Sequence, residues 1–366
     1  TIYVKGSEAT QGDLTIDNGS APSAETTVLP ALGSGTVVSV SGLSTIELDR
    51  PKNISDYFVG HWVEIRGTDG TLKGTWRIES VDGTNRKKIT LAANGVSLNV
   101  LANDQWQGVY RFDRLSALSG AKLVSDDPVR LGVDGVVEVT GPSAVNSVLD
   151  FPHAIGGTDV TINGNVAVET VTATNVTVKG QVSMREATAT NLTVETGAKL
   201  THPANAATTR NKLTLTTTGT LVVKSGGVID VNGKGYPLGS TYPDGIATLP
   251  GNATGGSHLG YGGYWEGPLG STYGSVCRPL EGGAGGCNGR GSAGGGVVRI
   301  DATGGVVAID GNVLANGNPC SDYGCGAGGS VWITATEYGG SGKIEARGSE
   351  GSAHGNGGGG AISVEY

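Results

Sequence analysis

Residues 159–206 write one sixteen-residue pattern three times: DVTINGNVAVETVTAT, NVTVKGQVSMREATAT and NLTVETGAKLTHPANA. Asp159, Asn175 and Asn191 open the copies, and Val160, Val176 and Leu192 follow. Ile162, Val178 and Val194 come next, then Val166, Val182 and Ala198, then Val168, Met184 and Leu200. Alternate positions are apolar and those between are mostly Thr, Asn, Lys or Glu, which is the period of a strand with one buried face. A glycine-containing turn divides each copy, and in the third copy that glycine comes one residue later, at Gly197.

A unit this short buries its apolar face only by stacking on its neighbours. Parallel coils stacked about 4.8 Å apart would align equivalent positions into ladders. Val160, Val176 and Leu192 would form an interior ladder, and Asp159, Asn175 and Asn191 a corner ladder. An antiparallel meander leaves the in-register retention of apolar residues unexplained. The expectation is an all-β chain built on a right-handed parallel β-helix.

Composition agrees with strands and many turns: 65 of 366 residues are Gly, 16% are charged and there is one Met. The formal charge of −8 argues against nucleic acid as a partner. No apolar run approaches the roughly 20 residues of a membrane helix. A chain opening on Thr1 fits removal of a leader or excision from a longer protein.

The chain divides into four expected parts: N-terminal strands over 1–35, a small antiparallel β-barrel over 36–112, coils over 113–233, and a Gly-rich continuation over 234–366. The barrel segment holds three of the five Trp (Trp62, Trp76 and Trp106), with Phe58, Tyr110 and Phe112. These aromatics are expected to fill its core; a sugar-stacking site is the functional alternative. RLSALSGAKLVSDD at 114–127 shares GAKL with the third copy of the repeat. From Gly226 onward 42 of 141 residues are Gly, yet strand-like runs recur, with Val297, Val331 and Ala361 at 34- and 30-residue spacings. The longest Gly-rich excursion, 234–293, carries Tyr236, Tyr242, Tyr261, Tyr264, Trp265 and Tyr273. Flexible Gly linkers carry Ser rather than aromatics, so this excursion is expected to pack, with polyglycine-II-like contacts as one form.

The four cysteines, Cys277, Cys287, Cys320 and Cys325, lie in the Gly-rich part and allow three pairings. The expected pairs are Cys277–Cys287 and Cys320–Cys325, stapling irregular loops in an extracellular, oxidising compartment. Their spacings do not match a zinc site, and no His is close in sequence.

SGGVIDVNGKGY, GGGVVRIDATGGVVAIDGNVLANG, GAGGSVWITA and the closing GGGGAISVEY resemble a Gly-rich β-helix module of very large secreted bacterial surface proteins. Gliding-associated surface proteins of myxobacteria are among them. FVGHWVEIRGTDGTLKGTWRIESVDG with WQGVYRFD is similar to insertions in such proteins. The resemblance covers most of the chain, and its motifs are structural. It implies surface display, adhesion or assembly, and no specific activity.

Signals of catalysis are weak. Parallel β-helix lyases and hydrolases need clustered acids, or a base with Arg and Lys. Here Asp126–Asp127 stands before Pro128 as a turn, GSHLG at 256–260 misses a GHG pattern, and VRID at 298–301 is an ordinary strand. His61, His153, His202, His258 and His354 are scattered. DVNGKG at 230–235 resembles part of a calcium loop but lacks the downstream Glu, and no glycine run is a phosphate loop. Asn18, Asn53, Asn175, Asn191 and Asn252 open Asn-x-Ser/Thr triplets, common by chance in a Thr-rich chain. No cofactor, metal or enzymatic activity is expected.

The expected function is structural: a secreted subunit of an extracellular fibre or surface assembly, partnered with itself. The closing AISVEY and opening TIYVKG are strand-like, and uncapped end coils expose backbone groups that must pair. Thr1, Ile2, Tyr3, Val4 and Lys5 are the candidate assembly strand, by addition to a neighbouring sheet edge or by pairing within their own chain. The alternatives are a carbohydrate-binding adhesin with a surface polysaccharide as partner, for which Tyr261, Tyr264 and Trp265 are the candidate stacking residues, and a β-helix polysaccharide lyase or hydrolase.

Overall fold

The computed structural model describes residues 1–19, 26–93, 95–119, 121–139, 148–206, 209–242, 250–264, 267–287, 291–321, 323–351 and 354–366. Strands make up 47% of the chain, and no α-helix occurs among the described residues. In chain order the first strands are β1 (Ile2–Val4), β2 (Asp13–Asp17), β3 (Thr27–Leu29), β4 (Ser34–Ser41), β5 (Thr45–Leu48) and β6 (Trp62–Arg66). There follow β7 (Leu72–Val81), β8 (Lys88–Leu91), β9 (Gln105–Leu118), β10 (Lys122–Ser125), β11 (Val129–Val139) and β12 (Val148–Asn163). Then come β13 (Asn165–Val178), β14 (Gln181–Ser183), β15 (Glu186–Val194), β16 (Lys199–Thr201), β17 (Leu213–Thr217) and β18 (Thr220–Val223). The last are β19 (Val228–Asp230), β20 (Val297–Ile309), β21 (Asn312–Leu314), β22 (Ser330–Gly339), β23 (Lys343–Glu345) and β24 (Ala361–Glu365). The chain forms two compact units, residues 1–135 with 140–156, and residues 136–139 with 157–366.

In the first unit, antiparallel pairing runs β4–β5–β8–β7–β6–β9 and returns to β4, a closed ring. Closure leaves no open edge among these strands. Inside it pack Val37, Ile46, Leu48, Ile54, Phe58, Val63, Ile65, Ile78, Ile89, Leu91, Val100 and Trp106. The aromatics divide. Trp106 and Phe58 belong to the core and Trp76 packs against it, whereas Trp62 and Tyr110 are half-buried. β9 runs past the expected end of the barrel at 112: after the antiparallel stretch, Arg114–Leu118 pairs in parallel with Asp13–Asp17 of β2.

The candidate assembly strand pairs within its own chain. β1 pairs antiparallel with β2, Ile2 opposite Thr15, Tyr3 opposite Leu14 and Val4 opposite Asp13. The Tyr3 hydroxyl donates to the Gln11 carbonyl. That local hairpin satisfies one edge of β1 without a second molecule.

The second unit is built from three parallel ladders that the chain visits in a fixed cyclic order. One holds segments of β13, β15, β17, β20, β22 and β24. The next holds later segments of β13 and β15, then β18, β20 and β22. The third holds β13, β14, β16, β19, β21 and β23. Each has an apolar row inside, such as Val166, Val182, Leu200, Ile229 and Val313, all at most 1% exposed.

The corner ladder expected from the Asx positions is present. Asn175 Nδ2 donates to Asp159 Oδ1, and Asn191 Nδ2 to Asn175 Oδ1. The later register differs from the sequence alignment. Val182 stands opposite Leu200, not Ala198, because the turn at Gly197 (φ +79°) absorbs two extra residues. An even shift keeps Leu200 on the buried face; an odd one would have turned it out. Likewise Val331 pairs with Val298 and Ile362, one residue from the expected Val297 and Ala361.

The Gly-rich excursions are packed, as their aromatics imply. Tyr236, Tyr273 and Ala284 form a small core with Tyr242 against it. Segment 282–286 exchanges backbone hydrogen bonds with four neighbours. Tyr236 donates to Gly283, Gly283 to Gly295, Ala284 to Ser257 and Ala327 to Ala284. A sheet strand has two neighbours, but an extended helix of three residues per turn directs its N–H and C=O groups around its axis. This is bonding of the polyglycine II kind. It requires glycine: a Cβ on Gly294 would sit 2.0 Å from the Gly283 carbonyl oxygen, and one on Gly283 would sit 2.4 Å from that of Ala327.

Cys320 and Cys325 are joined. The expected Cys277–Cys287 bond is not formed; both thiols are free. The two residues are tied to different anchors: the Cys277 carbonyl accepts from Ser363, and the Cys287 N–H donates to Thr254.

Candidate functional site

The first unit carries an open groove of about 300 Å³ lined by the 57–62 turn, β9 and the β1 hairpin. Its aromatics come from two short runs, DYFVGHW and WQGVYRF. In the first, a 3₁₀ turn over Asp56–Phe58 puts Phe58 into the core and leaves Tyr57 68% exposed. In the second, Trp106 packs in the core, and Tyr110, Arg111 and Phe112 line the groove.

The rings form a continuous chain. Tyr57 lies 4.7 Å from Phe58, Phe58 5.4 Å from His61, and His61 4.5 Å from Tyr110. Tyr110 stacks at 5.9 Å on Phe112, which meets Tyr3 at 6.4 Å, edge to face. Such offset and edge contacts suit the charge distribution of aromatic rings. The two ends of the chain, Tyr57 and Tyr3, are exposed and its middle is buried or half-buried.

Below the rings sits Asp127, 1% exposed. It is not the plain turn residue its sequence suggests. One carboxylate oxygen accepts from Leu32 N at 2.7 Å and lies 3.2 Å from His61 Nε2; the other accepts from Gly33 N at 3.0 Å. This fixes the imidazole and the 30–33 loop together. Burial, then the negative charge of Asp127, push the Tyr110 phenol well above its usual pKa. It therefore stays a hydrogen-bond donor, held 2.6 Å from the Pro30 carbonyl.

Trp62 plays a different part. The guanidinium of Arg111 lies 4.9 Å from its ring centroid and that of Arg77 5.7 Å. Arg77 Nε also donates to the Gly60 carbonyl at 3.0 Å. The indole holds two cations in place.

Tyr261 and Tyr264 are 63% and 62% exposed, and Trp265 lies outside the described residues. His202 and His258 are buried among glycine segments, where Nδ1 of each meets a backbone carbonyl, Pro203 and Gly328 respectively. Among the described residues no three His, Cys, Asp or Glu side chains converge as metal ligands, and no helix is long and apolar enough to cross a membrane.

Sequence reasoning named Phe58, Trp62, Tyr110 and Phe112 without separating core from groove. It missed the roles of Tyr57, His61, Arg77, Arg111 and Asp127. The density of rings in the two runs was the available signal. No protein-family model, curated protein or solved structure matches the chain.

Proposed function

We propose that this chain is an extracellular saccharide-binding surface protein, in which one unit is a right-handed parallel β-helix with polyglycine-like flanks and the antiparallel unit bears a binding groove. The observation that carries it is the ring chain ending in exposed Tyr57 and Tyr3 beside an open groove. Pyranose rings present flat C–H faces and peripheral hydroxyls. Tyrosine offers an apolar face and a polar tip, and exposed apolar clusters mark interaction sites. The cyclic visiting order of the three ladders supports the β-helix. The Cys320–Cys325 bond and the resemblance to secreted bacterial surface modules support the location.

The test is affinity electrophoresis of the purified chain in gels containing different polysaccharides. At least one should retard it, and Tyr57→Ala with Tyr3→Ala should abolish retardation while the circular dichroism spectrum is kept. Absence of retardation by any polysaccharide would sink the proposal.

A fibre subunit is the second reading, favoured by one observation. Among the described residues β1 has a partner on one edge only, with Ile2, Tyr3 and Val4 all more than 50% exposed. Sedimentation of the intact chain and of a chain lacking residues 1–6 decides it. Concentration-dependent polymers lost on truncation support it, and monomers at every concentration reject it.

A further inference from the structure

The groove's charge is one-sided. Its lining includes Lys5, Arg77 and Arg111, and no acidic residue among those described. The chain as a whole carries −8, so a cationic groove is not a general property of its surface. Two carboxylates are bonded to residues that line or border the groove. Asp127 is bonded to Leu32, Gly33 and His61, and Asp113 accepts from Gln11 and Gly12 N–H groups.

A second tryptophan in the same chain supplies the contrast. Trp332 also has two guanidiniums over it, Arg299 at 3.9 Å and Arg278 at 5.4 Å. There, however, Asp301 lies 3.0 Å from Arg299, and Glu365 accepts from the indole N–H at 3.0 Å. That cluster is neutralised from within. The Trp62 cluster has the same cations on the same kind of ring and no carboxylate in the lining.

From this juxtaposition we infer that the groove selects anionic saccharides, with Arg77 and Arg111 receiving carboxylate or sulfate groups while Tyr57 and Tyr3 flank the sugar rings. The inference rests on the saccharide-binding reading and names its ligand class. Guanidinium presents paired N–H donors that match the two oxygens of a carboxylate or sulfate. Holding each guanidinium against the indole beforehand reduces the ordering it must undergo on binding. Both anions share this chemistry, so the test separates them.

The experiment is calorimetric titration of the intact chain with oligogalacturonate, a sulfated galactan oligomer, a neutral glucan oligomer of equal length, and polyglutamate. At least one acidic saccharide should bind more tightly than the neutral glucan, and its affinity should fall as salt rises from 20 to about 300 mM through screening of the ion pairs. Arg111→Gln should weaken the acidic saccharide about tenfold or more, the loss of a charge-assisted hydrogen bond, and weaken any neutral glucan binding by a smaller factor. Arg111→Lys should restore part of it. Oligogalacturonate and sulfated galactan, compared directly, report which anion is preferred. Neutral glucan binding as tightly as both acidic oligomers overturns the inference and leaves the saccharide reading standing. Binding of polyglutamate with no saccharide overturns both.

Discussion

Asn191 Nδ2 donates to Asn175 Oδ1 across 2.8 Å, a contact between side chains sixteen residues apart in the chain. The direction of this bond is set further along the row. Asp159 only accepts, so Asn175 turns its amide nitrogen towards it and its oxygen towards Asn191. Asn191 then turns its own oxygen to Thr220, accepting from the backbone N–H at 3.1 Å and the hydroxyl at 2.9 Å. Asn191→Asp removes the one donor in this row that Asn175 needs and sets acceptors face to face. The variant should lose about 1–3 kcal/mol of stability, read as a lower urea midpoint. Asp159→Asn should cost less, because an amide can still accept at that end. Equal midpoints for Asn191→Asp and the parent would show that the row is not bonded in this sense.

The glycine segments should be unequally sensitive to a methyl group. Gly294→Ala drives Cβ into the Gly283 carbonyl and should cost about 1–3 kcal/mol or prevent folding of the block. Gly359→Ala meets nothing within 4 Å and has no positive φ, so it should be neutral. Thermal melts of the pair, with protease cleavage within 234–296 as local readout, test this. Similar behaviour of the two variants would contradict the packing described.

His202 should make the chain acid-sensitive in a defined window. Burial lowers its pKa from 6.5 to about 4, opposed by the hydrogen bond to the Pro203 carbonyl and reinforced by Lys234. Its Nε2 accepts from Val297 N–H at 3.1 Å, which only the neutral ring can do. Between these two pKa values the unfolded chain binds a proton that the folded chain does not. Stability is therefore fully present above about pH 6.5 and declines as pH falls towards 4, by about 3 kcal/mol in all. His202→Gln should flatten this part of the stability–pH curve. An unchanged slope in the variant would remove His202 as its source.

The thiols should be chemically distinct. Without reductant, iodoacetamide should label Cys277 and Cys287, the exposed Cys277 faster, and leave Cys320 and Cys325 unmodified. Peptide mapping reads the result. Recovery of a Cys277–Cys287 peptide pair would restore the pairing expected from spacing alone.

The ladders were legible in the sequence because burial on one face of a strand leaves a period of two, and Val160, Ile162, Val176 and Val178 keep it. The two-residue slip at Leu200 was not, since it preserves the alternation by which register is read. The glycine block was visible as packed through Tyr236 and Tyr273, but its bonding partners were hidden. Backbone-to-backbone contacts in several directions leave no side-chain pattern. The groove was hidden for another reason. His61 and Asp127 lie 66 residues apart, and Arg77 and Arg111 sit on different strands, so only closure of the ring brings them together. Cys277 and Cys287 misled because nearness in sequence was taken as nearness of sulfurs, while their backbones bond to different segments, at Ser363 and Thr254.

Two kinds of counting coexist in the second unit, and they set which length changes the chain can absorb. Along a ladder strand, facing alternates, so an insertion within one strand is silent for burial only when it is even, whereas a turn absorbs either parity, as between the Ala189–Thr217 and Leu192–Leu221 pairs. Along a threefold glycine helix, direction recurs every third residue, so three residues can be added or removed while each remaining N–H keeps its bearing. One or two would rotate the rest of the segment by a third or two-thirds of a turn, away from every partner at once. Drift in length among descendants of this gene would therefore run in twos inside the Val- and Thr-rich strands and in threes through the glycines, with single residues confined to the turns. That signature is written in the reading of lengths alone, before any residue is compared.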